Sequence, residues 1–410
     1  MNSPSPFDVE AIRTRFPALD REEGGRGVAY LDGPGGTQVP RTVIDAMGSV
    51  LHEGVSNLGG GFGASIAADE ITDAARRAMA DFFNADPNEV SFGQNMTSLT
   101  FAMSRALSTT WAPGDAIVLT SLDHDANFTP WARAAEEHGV EVRVAEFDPA
   151  TGTLDASSVT DLLDHKVRLV AVCLASNSLG TVVDVATISR AAHEVGALVY
   201  VDAVHAGPHI RIDSEELACD FLVASAYKFF GPHTGILFGK LEYMDRIDAY
   251  KVRPARSDPP GKWETGTQSF ESMAGVTAAV DYLAGLGEPA DRRRDALTSS
   301  YERISAYEDG LSKRFIEGVR RLEKVQIHGL PTADDSRVAT FAIAVDRHHP
   351  GDVAKHLTSE NLYVWAGHYY AVNVMERLGV LDRGGLVRIG FVHYNTTAEV
   401  DSVLAALAAL

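Results

Sequence analysis

The sequence predicts an α/β fold, with a large domain built on a seven-stranded, mainly parallel sheet between layers of helix and a smaller α+β C-terminal domain. Three observations lead there. From about residue 90 to residue 240, short runs rich in Val, Ile and Leu alternate with amphipathic segments, the pattern of strands joined by helical crossovers. Those runs are apolar on both faces, as strands covered by helices on each side must be. The chain's 410 residues also exceed the roughly 250 to 300 at which a single core stops growing, which calls for a second lobe.

An N-terminal arm, 1–25, is expected to pack with the small domain, and the large domain is placed at 26–285. Helical periodicity at 41–53 and 68–83 precedes seven strand-like runs: VSFG near 90, AIVLT near 117, VEVRVAEF near 140, RLVAVCLAS near 168, LVYVDAV near 198, DFLVAS near 220 and TGILFG near 234. SDPPGKWETGTQ, at 257–268, has turn composition and reads as a function-bearing loop. The small domain, 286–410, opens with a charged helical stretch at 288–323, expected to be a solvated connector. Beyond it KVQIHG, RVATFAIAV, NLYVWAG and LVRIGF alternate with helices at 351–359, 371–379 and 397–409.

With 36 Lys and Arg against 56 Asp and Glu, a net charge of −20 and 45% apolar residues, the chain is globular and acidic. Nucleic acid and anionic membrane surfaces, which are held through clustered cations, are therefore not expected partners; a small molecule is. Cys173 and Cys219 are the only cysteines, too few for a disulfide framework or a four-thiolate zinc site, and no metal site is expected. No basic and apolar leader and no run of eighteen apolar residues occurs, so a cytoplasmic, soluble protein is expected.

Ligands of open α/β sheets bind at the carboxyl ends of the strands, and four predicted strands end there in polar residues. VSFG leads through Asn95, Met96 and Thr97 into an apolar helical run, a helix N-terminus that could seat a phosphate or simply be capped by its Asn. Asp202 and His205 follow the strand LVYVD. A carboxylate there needs a positive partner, either a salt bridge or a protonated heterocyclic nitrogen. Ser225, Tyr227 and Lys228 follow the next strand. A lysine in so apolar a setting tends to lose its proton and become a Schiff-base nucleophile.

These segments, with YLDGPGGTQVP, SLDHDANFTPW, SNSLGTVVDV, WETGTQ and LVRIGFVHYNT in order along nearly the whole chain, resemble the class V aminotransferase family and its cysteine desulfurase branch. The resemblance implies a PLP enzyme of fold type I, usually a homodimer with its active sites at the subunit interface, that holds pyridoxal 5'-phosphate (PLP) on Lys228. It implies that Asp202 pairs with the pyridine nitrogen, that His124 stacks on the ring and moves protons, and that Asn177 and His205 bond the phenolic oxygen. Met96, Thr97, Ser225 and Tyr227 would hold the phosphate, with Thr267 supplied by the neighbouring subunit. Arg388 would clamp the substrate carboxylate through two parallel hydrogen bonds, with His368 also at the substrate.

The chain departs from that branch at AGHYYAV, where Tyr370 stands at the position of the persulfide-carrying cysteine, and at His205 and Tyr227. The expectation is therefore a carbon–sulfur β-eliminating lyase acting on an amino-acid-like substrate, with Lys228, His124 and Tyr370 as catalytic groups. A class V aminotransferase or epimerase and a catalytically silent PLP-binding protein are the alternatives. The glycines of GGGFG at 59–63 do not follow a strand and open a helix in the pattern that a nicotinamide dehydrogenase requires.

Overall fold

The structure, a computed structural model, describes residues 7–410; residues 1–6 of the expected arm lie outside the described residues. All seven runs form strands of one sheet, in the order Val90–Gly93, Gly235–Gly239, Phe221–Ser225, Leu198–Asp202, Val167–Cys173, Ala116–Thr120 and Glu141–Ala145. Gly235–Gly239 runs antiparallel to both its neighbours, and the other strands share one direction.

Alternate residues of the central strands divide between two cores. Val170, Val172, Val199, Val201, Leu222 and Ala224 pack with Ala75 and Met79 of the helix Gly63–Phe83 and with Val276 and Val280 of Phe270–Ala284. Leu169, Ala171, Tyr200, Phe221 and Val223 face Leu99 and Met103 of Met96–Ser108 and Trp131 of Thr129–His138. Each buried Val, Leu, Phe or Met among them contributes about 1.5 to 3 kcal/mol by leaving water, and this two-sided burial is why the strands read as unbroken apolar runs.

The second sheet is antiparallel, in the order Val325–His328, Thr340–Val345, Leu386–Gly390 and Trp365–Gly367. NLYVWAG is split between two sheets: Leu362–Tyr363 pairs in parallel with Ala29–Tyr30, and Trp365–Gly367 edges the antiparallel one. The charged helix, Arg293–Val319, is not the solvated connector its composition suggested. Leu297, Tyr301, Ile304, Glu308, Leu311 and Phe315 recur every three or four residues and are all buried, so one face packs while the Arg and Glu residues between them reach water. Among the described residues no helix is long and apolar enough to cross a membrane.

The N-terminal segment threads through both domains. Asp32 bridges to Gly390, and the Thr37 amide donates to the Tyr227 carbonyl oxygen. Arg13 reaches the Tyr394 carbonyl oxygen and Glu399.

Candidate active site

One cavity of about 820 Å3 opens at the carboxyl edge of the large sheet. It brings together Met96, Thr97, His124, Asn177, Asp202, His205, Tyr227, Lys228, His368, Tyr370 and Arg388, positions spread over almost three hundred residues of sequence. Two of the residues picked from the sequence do not line it. Ser225 is buried behind it, and Thr267 lies on an exposed loop where its hydroxyl accepts from Asn57 Nδ2 at 3.5 Å.

The connection from Ser225 to Gly235 joins two antiparallel strands and carries Lys228 on a single turn, Ala226–Lys228. Its Nζ donates to the Pro34 carbonyl oxygen and lies 4.9 Å from the Tyr227 ring centroid. Burial, aided by Arg388 and opposed by Asp202 and Asp32, brings its pKa down to about 7. Tyr227 is itself stacked on His233 at 4.8 Å.

Asp202 ends the strand Leu198–Asp202, beside Cys173. Burial pushes its carboxyl up to about 6, against the Val204 amide, which donates to Oδ1 at 2.9 Å, and against the Lys228 charge. A second carboxyl, which the sequence analysis did not single out, sits nearby. Asp123 is buried among Thr120 and Asn127, whose Nδ2 donates at 2.7 Å, and burial with repulsion from Asp202 raises it to about 8. Its place just past the buried run AIVLT, after Ser121 and Leu122, was the available signal.

The helix Met96–Ser108 starts at the cavity. Asn95 caps it, accepting from Ser98 N at 2.9 Å, and Ser225 Oγ accepts from Met96 N at 3.1 Å. Gly235 permits this approach, because a Cβ there would lie 2.4 Å from the Asn95 carbonyl carbon.

His124 Nδ1 accepts from Ala126 N at 3.0 Å, which leaves the proton of the neutral ring on Nε2. Burial first, then Lys228 and Arg388, lower its pKa to about 4. Tyr370 stacks against this ring, with centroids 5.6 Å apart. Tyr370 has φ +58°, and its backbone is tied by N–H to His368 Nδ1 at 3.1 Å and by its carbonyl oxygen to Asp125 N at 2.7 Å. The Tyr370 side chain is 66% exposed at the cavity mouth.

Arg388, on Leu386–Gly390, is buried 4.5 Å from the Tyr369 ring centroid; Nη1 donates to the Asn177 carbonyl oxygen at 2.9 Å, and among the described residues Nε has no partner. Burial lowers its pKa to about 10, so it stays charged at neutral pH. Asn177 Nδ2 donates to the Tyr369 carbonyl oxygen at 3.0 Å, while its Oδ1 is buried without a partner among the described residues. His205 likewise keeps Nδ1 unpartnered. Both cysteines are buried: Cys173 ends a sheet strand, and Cys219 precedes Phe221–Ser225 rather than lying in it.

The family model of the class-V aminotransferases matches residues 29–403. A cysteine desulfurase of Pectobacterium atrosepticum is 30% identical over 98% of this chain and 97% of its own length, and an uncharacterized protein of Mycobacterium tuberculosis is 32% identical over 98% and 99%. The apo structure of a cysteine desulfurase from Thermococcus onnurineus superposes with a TM-score of 0.88 at 27% identity, covering 100% of this chain and 98% of that one. With the match running through both domains and through every strand that lines the cavity, the chain belongs to the class V aminotransferase family, whose members are PLP-dependent enzymes.

Proposed function

We propose that the protein is a PLP-dependent carbon–sulfur lyase that eliminates a β-substituent from an amino-acid-like substrate, and that it works as a homodimer. The observation that carries this reading is at the cavity mouth, where a tyrosine rather than a thiol lies on His124. Burial also pushes up the pKa of both cysteines, which disfavours the thiolate a persulfide carrier needs.

The donor set fits PLP. Asn177 Oδ1, His205 Nδ1 and Arg388 Nε are polar atoms without partners among the described residues, all on residues around one cavity, and a lysine with a depressed pKa shares it with a buried carboxylate. Lys228 would hold the cofactor covalently, Asp202 its pyridine nitrogen, and Asn177 and His205 its phenolic oxygen, with His124 against the ring. The helix start at Met96 and Thr97, with Ser225 and Tyr227, would hold the phosphate together with Thr267 of the partner subunit. Bound there, PLP supplies an electron-withdrawing ring that makes the proton on the substrate's α-carbon removable.

Arg388 then binds the substrate carboxylate and fixes which bond at the α-carbon faces Lys228. With a pKa of about 7, Lys228 Nζ is neutral often enough at physiological pH to take that proton. The departing sulfur needs a proton in turn, and the Tyr370 hydroxyl and His124 Nε2–H are the donors at the mouth; His368 orders Tyr370 through its backbone N–H and reaches the substrate. The homodimer is supported by exposed Ile44, Leu51, Val55, Leu58, Phe62 and Ile66, a run of apolar side chains on adjoining elements next to Asn57 and the Thr267 loop.

The test is product analysis with L-cysteine and thioether amino acids, on the wild type and on the double variant Cys173→Ala, Cys219→Ala. Keto acid, ammonia and thiol or sulfide formed equally by both proteins support the lyase. Stoichiometric alanine from the wild type, lost in the double variant together with a labelled persulfide, refutes it.

A further inference from the structure

His205 stands on the turn that follows the strand Leu198–Asp202, and three side chains from beyond residue 300 hold that turn. Thr340 Oγ1 is 3.0 Å from His205 Nε2. Tyr301 OH donates to the Gly207 carbonyl oxygen at 2.6 Å. Glu308, two helical turns beyond Tyr301 on the same face of Arg293–Val319, accepts from His209 Nδ1 at 2.7 Å. The His209 ring lies edge-on to His205 with centroids 5.1 Å apart.

Glu308 and His209 are almost wholly out of water, with side chains 5% and 1% exposed. Among the described residues His209 Nε2 has no hydrogen-bond partner, and burial pushes the Glu308 carboxyl up with the His393 backbone N–H opposing, so the pair carries a desolvation cost that an apolar pair of the same volume would avoid. A core needs no such pair for packing alone. The carboxylate fixes the His209 proton on Nδ1, and the oriented ring in turn presses on His205, whose own Nδ1 is unpartnered beside the cavity.

We infer that Glu308 and His209 are positioning residues that fix the orientation and tautomer of His205, so that the bound cofactor's electronic state is set in part from the long helix of the C-terminal region. The inference rests on the PLP reading above but not on the lyase chemistry. Lys228 and Arg388 face His205 across the cavity, while Tyr301, Tyr307 and Asp309 on the helix and the ring of His393, with Arg15 beyond it, are the charged and titratable surroundings of the pair.

The experiment is an absorbance titration of the PLP-loaded protein against pH, for wild type, Glu308→Gln, His209→Asn and the double variant, with cofactor content and melting temperature measured alongside. The expected result is that each single variant shifts the titration midpoint by about half a pH unit or more and that the double variant shifts it no further than the larger single shift, as for groups acting in series. Loaded, folded variants that titrate like the wild type overturn the inference and leave the pair a packing feature. If opening the pair prevents folding, Glu308→Asp draws the carboxylate back from His209 while keeping its charge, and an unshifted midpoint in that loaded variant overturns the inference equally. Failure of the wild type to take up PLP at all would instead strike at the proposed function.

Discussion

Replacing Lys228 by Met should make the cofactor-free protein more stable at neutral and acid pH, with a gain that fades as pH rises. Burial holds the folded-state pKa at about 7, against an ordinary value of 10.5. Below the folded value, the native protein bears the cost of keeping a charged ammonium in that setting. Between the two values the unfolded chain binds one more proton than the folded one, so unfolding free energy climbs with pH through this window at about 1.4 kcal/mol per unit. Met keeps the length of the stem and carries no charge. From about pH 6, below the window, to about pH 9, two units inside it, the advantage of Lys228→Met should shrink by about 3 kcal/mol. Urea denaturation of cofactor-stripped wild type and variant at both pH values, at one protein concentration, measures this. An advantage of Lys228→Met that is equal at both pH values would show that the amine is not depressed and would remove the basis for its role as base.

Two further outcomes follow from the site. Asp202→Asn should weaken PLP retention and slow α-proton exchange in deuterated buffer, because an amide cannot keep the pyridine nitrogen protonated; unchanged exchange in a loaded variant would count against its place there. Arg388→Lys should raise KM by the equivalent of about 1 to 3 kcal/mol for a lost charge-assisted pair of hydrogen bonds, and should erase the preference for the amino acid over its decarboxylated amine. Equal discrimination by both proteins would take Arg388 off the substrate.

The strands were legible because burial on both faces leaves unbroken apolar runs, and the cavity was legible where a polar residue ends such a run or follows it within a turn, as at Asp202 and Lys228. Strand direction was not. GILFG has the composition of the sheet's parallel strands, and only the hairpin-like connection from Ser225 to Gly235 turns it round. The charged helix was misread because the count of Arg and Glu between 288 and 323 hid the three-to-four spacing of its buried face. Glu308 and His209 left no trace because a pair 99 residues apart becomes adjacent only when the helix docks. Asp123 was obscured by its neighbour His124, which carried the motif.

The threading of the first forty residues has a consequence for how the protein is born. Pro34 meets Lys228, but Ala29–Tyr30 pairs with Leu362–Tyr363 and Asp32 with Gly390, so the strand that anchors the lysine's neighbour finds its own partners only after more than three hundred further residues have been made. At translation rates of about 5 to 20 residues per second, that is a wait of roughly 17 to 67 s. A nascent chain halted before Leu362 has the lysine and its strand but no strand to pair with Ala29–Tyr30. The site therefore closes last, and a ribosome-bound fragment has no finished cleft in which to capture a reactive aldehyde.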